Sequence, residues 1–203
     1  CIETIANNLD KILTFCANKN SAKERFKKIQ SKYISSQCIE QASDNTICYQ
    51  APADATNTKL PNGSIDIVFS NSVLEHVPAE VIRNMMTESM RILTPSGLAF
   101  HSVNCGDHYA YVDHTVNQLN YLQFDDSEWN KWNTRFLYQN RLRAKEFTQM
   151  ARDAKLNIIL DTSEPLTERL TQLSKIRVAN DFDGYTEQEL CLTTIDFIGQ
   201  KPA

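Results

Sequence analysis

Apolar residues recur along the start of the chain at steps of three and four. Ile2, Ile5, Leu9, Ile12, Leu13 and Cys16 form one stripe, which predicts a helix over 2–17. A shorter series, Ala22, Phe26, Ile29 and Tyr33, predicts a helix near 21–33, and 36–42 reads as a third. At Thr46 the period changes. Thr46-Ile47-Cys48-Tyr49-Gln50-Ala51 is β-branched and aromatic and is stopped by Pro52, so it predicts a strand. Leu60-Pro61-Asn62-Gly63-Ser64 carries turn chemistry, with Gly63 suited to positive φ, and it launches a strand over 65–70 whose apolar centre implies burial on both faces. After Pro78, the spacing of Val81, Ile82, Met85, Met86, Met90 and Leu93 predicts a helix that ends at Thr94-Pro95-Ser96-Gly97. A strand over 98–103 follows, and this strand, helix, strand order predicts a parallel βαβ unit and an α/β fold.

Residues 104–143 are polar, aromatic and weakly periodic, an elaborated segment longer than a plain connection. Beyond it the pattern predicts a helix over 144–155, a strand over 156–160, a helix over 165–173 and a closing strand over 192–198. The chain is therefore read as a single partial domain over 1–203: a helical segment (1–45), strands and a helix on the cofactor side (46–103), a substrate-side insertion (104–143), and C-terminal helices and strands (144–203).

Composition narrows the function classes. The chain has 203 residues, 41% hydrophobic and 23% charged, which is globular rather than disordered. Its longest apolar run, Tyr109 to Val112, is far short of a bilayer span, so a soluble, cytoplasmic protein without a membrane partner is expected. A net charge of −4 argues against nucleic acid as a partner, and the basic cluster at 19–32 reads as a solvated helix face. Six cysteines without a C-x-x-C pair predict reduced thiols and no zinc knuckle. All five glycines lie after position 62, and the chain opens on Cys1 already inside a helical pattern, so a piece of a longer protein is expected.

In an open parallel sheet, ligands bind beyond the carboxyl ends of the strands. That directs attention to Asp54, to Ser70–Val77 and to Val103–His108. Asp54 suits an exocyclic amine, although Asp also ends strands and caps turns. His76 near a helix N-terminus tends to stay neutral and available as a base, although packing is the commoner use.

Four landmarks stand in order: Ala53-Asp54-Ala55, the run from Leu60 to Ser70, Val73-Leu74-Glu75-His76-Val77, and Arg91-Ile92-Leu93-Thr94-Pro95-Ser96-Gly97. Together they resemble the second half of a class I S-adenosylmethionine-dependent methyltransferase acting on small molecules, over roughly 46–203. Tyr138-Gln139-Asn140-Arg141-Leu142-Arg143 and the segment around Asp107-His108 are similar to an uncharacterised bacterial subgroup. The resemblance implies a three-layer, mostly parallel Rossmann-like sheet with an antiparallel closing strand. It implies that the family's first two strands, which belong between the strands at 46 and 65, are missing from this chain, so unpaired edges and an exposed apolar slot are expected. It implies S-adenosylmethionine as cofactor, with S-adenosylhomocysteine as product. Asp54, Ala55, Ser70, Asn71 and Leu74 are the implied cofactor contacts. The usual Pro-Gly-Gly turn reads Pro-Ser-Gly here.

The reaction expected is in-line transfer of a methyl group to a polar small molecule, held in attack geometry away from bulk water. His76 and His108 are the candidate catalytic bases. Glu75, Asp107, His114, Tyr138, Asn140, Arg141 and Arg143 are the candidate acceptor contacts, with Asp113 as a further orienting carboxylate. The arginines suit an anionic acceptor, and equally a surface ion pair. His101, His108 and His114 with Asp107 and Asp113 match no metal-ligand spacing, so no metal is expected. Trp129 and Trp132, at i and i+3, are read as packing residues of a short helix. The alternative to an enzyme is a binding module with a methyltransferase fold.

Overall fold

A computed structural model describes residues 2–203, so Cys1 lies outside the described residues. The chain separates into two compact units, divided between Ala53 and Asp54.

The first unit is helical. The stripe over 2–17 is split into α1 (Ile2–Asn7) and α2 (Leu9–Leu13), with Asn8 between them. Asn8 turns its side-chain amide back to the Thr4 carbonyl at 2.9 Å, local bonding of the kind that competes with helix continuation. α3 (Lys19–Ser36) begins where Asn18 accepts a hydrogen bond from the Ser21 amide, and it has no buried residue, in keeping with a solvated basic face. Its Lys28 ammonium lies 3.1 Å from Asp44, which also pairs with Lys32.

After α4 (Ile39–Ala42), the strand expected over 46–51 is not formed. The backbone donors there go to side chains instead of a ladder. Ile47 donates to the Ser43 hydroxyl at 3.0 Å and Tyr49 to the Glu40 carboxylate at 2.7 Å. Tyr49 is 74% exposed, so β-propensity here has no apolar surface to act through.

The second unit is built on a four-stranded sheet in the order β1 (Ile65–Asn71), β2 (Leu93–Asn104), β4 (Thr194–Gln200), β3 (Asn157–Asp161). β1 and β2 run parallel through α5 (Ala79–Ile92), the expected βαβ unit. β4 is antiparallel to both β2 and β3, so the parallel part is one ladder and the closing strand is antiparallel as expected. The sheet is mixed, of the Rossmann-like α/β kind. α5 and α7 (Ala144–Asp153) cover one face, where Ile82, Met86, Phe147 and Met150 pack on Leu93, Ala99, Val103, Ile195 and Phe197.

Burial of β1 on both faces does not hold. Val68 is half-buried against the helices, whereas Ile67 and Phe69, pointing the other way, are 62% and 74% exposed. β1 is an edge strand with one ladder, and no helix of residues 54–203 covers the Phe69 side.

The 94–97 turn is absorbed into β2 as an irregularity that shifts the pairing from Ile65↔Leu93 to Ile67↔Leu98. Ser96 there takes φ +64°, the left-handed conformation that glycine adopts without penalty. Gly63 takes φ +59°, as its turn requires.

The 104–143 insertion forms short 3-10 turns and α6 (Asp126–Trp132). With α8 (Thr167–Leu173) and α9 (Glu187–Leu190) it builds a second, smaller core around Tyr121, Leu122, Trp129 and Phe182. Trp129 is buried and packs there, while Trp132 is 55% exposed. Among the described residues, five cysteines are free thiols, and no helix is long and apolar enough to cross a membrane.

Candidate functional site

Two cavities flank the turn that follows β1. The first, about 450 Å³, opens at the carboxyl half of β1 and is walled by Val68, Phe69, Met85 and Ile92, with Ser70 and Asn71 at the strand end and Ala55 and Thr58 from the preceding loop. Ser70 Oγ lies 2.7 Å from His101 Nδ1; His101 also belongs to this lining, and its Nε2 is buried without a hydrogen-bond partner. Burial pushes His101 down to about 4, so it is neutral at ordinary pH.

The loop that carries Ala55 and Thr58 is pinned to α5 by charge. Glu88 Oε1 accepts from the Thr58 amide at 2.8 Å and hydroxyl at 2.6 Å, and both carboxylate oxygens accept from Arg91 at 2.7 Å. Arg91 in turn donates to the Leu60 carbonyl at 2.9 Å and to Asn62 at 2.5 Å. The Arg91 guanidinium and the Thr58 donors hold the Glu88 carboxyl down at about 2.

The second cavity, about 460 Å³, is lined by Tyr138, Asn140 and Arg141 together with Trp129, Asn133 and Asp181. Between the two runs the turn Val73–Val77, whose centre is a 3-10 turn over Leu74–His76. Asn140 clamps it: its amide donates to the Glu75 carbonyl at 2.8 Å, and its side chain donates to the Leu74 and Val77 carbonyls at 2.7 Å each. His76 Nδ1 lies 2.8 Å from the Tyr138 carbonyl, so that nitrogen is the donor and Nε2 keeps its lone pair. Gln139 joins the 106–108 loop to the same segment, donating to the Gly106 carbonyl at 2.5 Å and accepting from the His108 amide at 3.2 Å. The consequence is that two histidines 32 positions apart in the chain stand with ring centroids 4.9 Å apart.

Of the residues singled out from sequence, Ala55, Ser70 and Asn71 line the first cavity, and Tyr138, Asn140 and Arg141 line the second. Glu75, His76 and His108 are brought together. The others lie elsewhere. Asp54 is exposed and accepts from the Thr56 amide and hydroxyl, which hold its carboxyl below the usual range. Leu74 is fully buried in the main core. Asp107 is fully buried, accepting from the Tyr109 amide and the Asn120 side chain, and burial raises its pKa. His114 is exposed, and Asp113 caps Thr115.

Arg143 is fully buried and donates to the carbonyls of Cys105, Leu190 and Leu192 and to the Tyr121 hydroxyl, bracing the two cores. Arg141 donates to the Tyr121 and Phe124 carbonyls and pairs with Asp126 and Asp181. Sequence reasoning weighed His101 only as a metal ligand, gave Gln139 no role of its own, and missed the Glu88–Arg91 pair. The i, i+3 spacing of Glu88 and Arg91 on one helix was the available signal for the last.

Residues 17–101 match the family model described as a methyltransferase domain. That segment is similar to methyltransferase domains. S-adenosylmethionine is the cofactor that this likeness implies. The cavity beside Ser70 has the volume and the mixed apolar and polar lining of a small-molecule site, with Ser70, Asn71 and Thr58 among its polar residues.

No curated protein matches the chain. Among solved structures, the chain is similar to a Galdieria sulphuraria protein assigned as a sarcosine dimethylglycine methyltransferase, at 15% identity and TM-score 0.47, over 85% of this chain and 64% of that one. It is also similar to a Haemonchus contortus phosphoethanolamine N-methyltransferase solved with phosphomonomethylethanolamine and S-adenosylhomocysteine, at 18% identity and TM-score 0.42, over 74% of this chain and 36% of that one. A third likeness is to a chain of the complex between the Haloferax volcanii Trm112 methyltransferase activator and a protein assigned as a methyltransferase. It has 17% identity and TM-score 0.44, over 81% of this chain and 68% of that one. The chain thus spans 64% and 36% of the Galdieria and Haemonchus proteins.

Proposed function

We propose that the protein transfers a methyl group from S-adenosylmethionine to a polar small molecule, the cofactor lying in the cavity beside Ser70 and the acceptor near His76 and His108. The observation that carries this reading is the convergence of Ala55, Ser70 and Asn71 on one cavity at the carboxyl end of β1, inside the segment that matches the methyltransferase-domain model. When bound, S-adenosylmethionine supplies an electrophilic methyl on a sulfonium.

The chain's own work is positional. Val68, Met85 and Ile92 keep water from one wall, while Ser70, Asn71 and the neutral His101 offer hydrogen bonds without adding charge beside a cation. His76 and His108 promote loss of the acceptor's proton, and the Tyr138, Gln139 and Asn140 contacts hold them in place for it. Tyr138, Asn140 and Arg141 line the neighbouring cavity from which an acceptor would approach.

Calorimetric titration of the protein with S-adenosylmethionine tests the reading. Saturable heat is expected, abolished in Ala55→Trp, which fills the cavity from its exposed rim. His76→Ala is expected to cut turnover more than cofactor affinity. A flat thermogram for the unaltered protein would overturn the proposal.

A further inference from the structure

Glu75 is a charged residue where none is needed for packing. It is 1% exposed, neither carboxylate oxygen is in full hydrogen-bond geometry with a partner, and burial raises its pKa against only the weaker pull of the Glu75 and Asn104 amides and His76. An ionised carboxylate left in that state is costly unless a cation neutralises it. Its surroundings supply no lysine or arginine among its hydrogen-bond and ion-pair partners in the described residues.

What faces it is two imidazoles. One donor atom each from Glu75, His76 and His108 lies within 4.8 Å of the other two. His108 Nε2 is buried and also without a partner. His76 gives its Nδ1–H to a backbone carbonyl, the arrangement that fixes an imidazole with Nε2 free to ligate. A buried carboxylate and a buried imidazole nitrogen, both unpartnered, thus stand beside a second imidazole, and the exposed His76 gives an ion a way in.

We propose that Glu75, His76 and His108 bind a divalent first-row transition metal ion. Two imidazole nitrogens and one carboxylate are the donor set of zinc sites that keep a coordination position open, and of other mononuclear sites with exchangeable positions. Ligand distances of about 2.0–2.2 Å place donors about 3–3.5 Å apart, a spacing that the three side chains, already within 4.8 Å of one another, reach by rotamer adjustment. The motion is at side-chain scale, and the Asn140 and Gln139 hydrogen bonds hold the backbone while it occurs.

The inference deepens the proposed reaction and, as to function, rests on it. The two histidines promote proton loss through the ion they hold, because a bound cation lowers the pKa of a coordinated hydroxyl. The metal site itself stands on Glu75 and not on the cofactor cavity.

Titration of the chain with Co²⁺, followed by its visible d–d absorption, is the test. Saturable binding is expected, without the ultraviolet charge-transfer band that a thiolate ligand produces. Glu75→Gln and His108→Gln should each weaken it by on the order of tenfold or more, since loss of even an indirect partner costs that much. His76→Ala, at an exposed position, guards against loss of folding as the cause, with far-ultraviolet circular dichroism checking all three variants.

Absence of saturable binding would overturn the inference, as would binding unchanged in all three variants. A thiolate band would overturn it too, assigning the ion to cysteines such as the exposed Cys48. Binding of S-adenosylmethionine without Co²⁺ removes only this inference. Binding of Co²⁺ without S-adenosylmethionine removes only the methyl-donor reading.

Discussion

Glu88→Gln is expected to loosen the loop that walls the cofactor cavity and to remove a defined part of the protein's acid sensitivity. Glu88 is 7% exposed and accepts hydrogen bonds from Thr58 and Arg91, so its charge is held where water screens it little. The difference between an ordinary carboxyl value of 4.5 and about 2 corresponds to roughly 3 kcal/mol of folding stability. Arg91 is 35% exposed, so solvent screening cuts this to about 2 kcal/mol.

The sign follows from which state binds the proton first. As pH falls below 4.5 the unfolded chain protonates Glu88 while the folded chain resists, so stability is complete above 4.5 and lost progressively toward pH 2. Urea unfolding at a series of pH values measures it. The variant should be about 2 kcal/mol less stable at neutral pH, and its deficit should shrink as pH falls toward 2. S-adenosylmethionine affinity should drop in parallel, because Thr58 and Glu88 both line the cavity. A variant within about 0.5 kcal/mol of the parent, or a constant deficit across the acid range, would refute the reasoning.

Ser96→Gly should raise stability by about 0.5–1 kcal/mol, since φ +64° penalises a side chain by more than glycine's added chain entropy removes. Chemical denaturation measures it, and a destabilised variant would show that Ser96 makes a contact worth more than the strain. Arg143→Met should lower stability by about 3 kcal/mol or more. It strips hydrogen bonds from the Cys105, Leu190 and Leu192 carbonyls and from Tyr121, and a thermal midpoint equal to the parent's would refute its role as a brace.

Most of the second unit was legible from sequence. The period of 3.6 over 81–93 and the β-branched runs on either side specified β1, α5 and β2, because Val68, Ile82, Met85, Met86, Met90, Leu93, Ala99 and Val103 find the apolar neighbours their pattern anticipates. The same reasoning failed at 46–51. There the deciding partners were the Ser43 and Glu40 side chains, which no strand pattern encodes. It also failed at Ile67 and Phe69, where an apolar strand lacks a second covering layer within residues 54–203.

For the site, the sequence by itself determined the chemical types at the strand end: Ser70, Asn71, Glu75 and His76 in one short run. Only the tertiary structure decided that His108 joins Glu75 and His76, and that Arg143 is spent inside the fold. Proximity between 76 and 108 depends on Asn140 and Gln139 tying two distant loops together. Such backbone-directed hydrogen bonds leave no periodic trace, because their partners are carbonyl and amide groups that every residue carries.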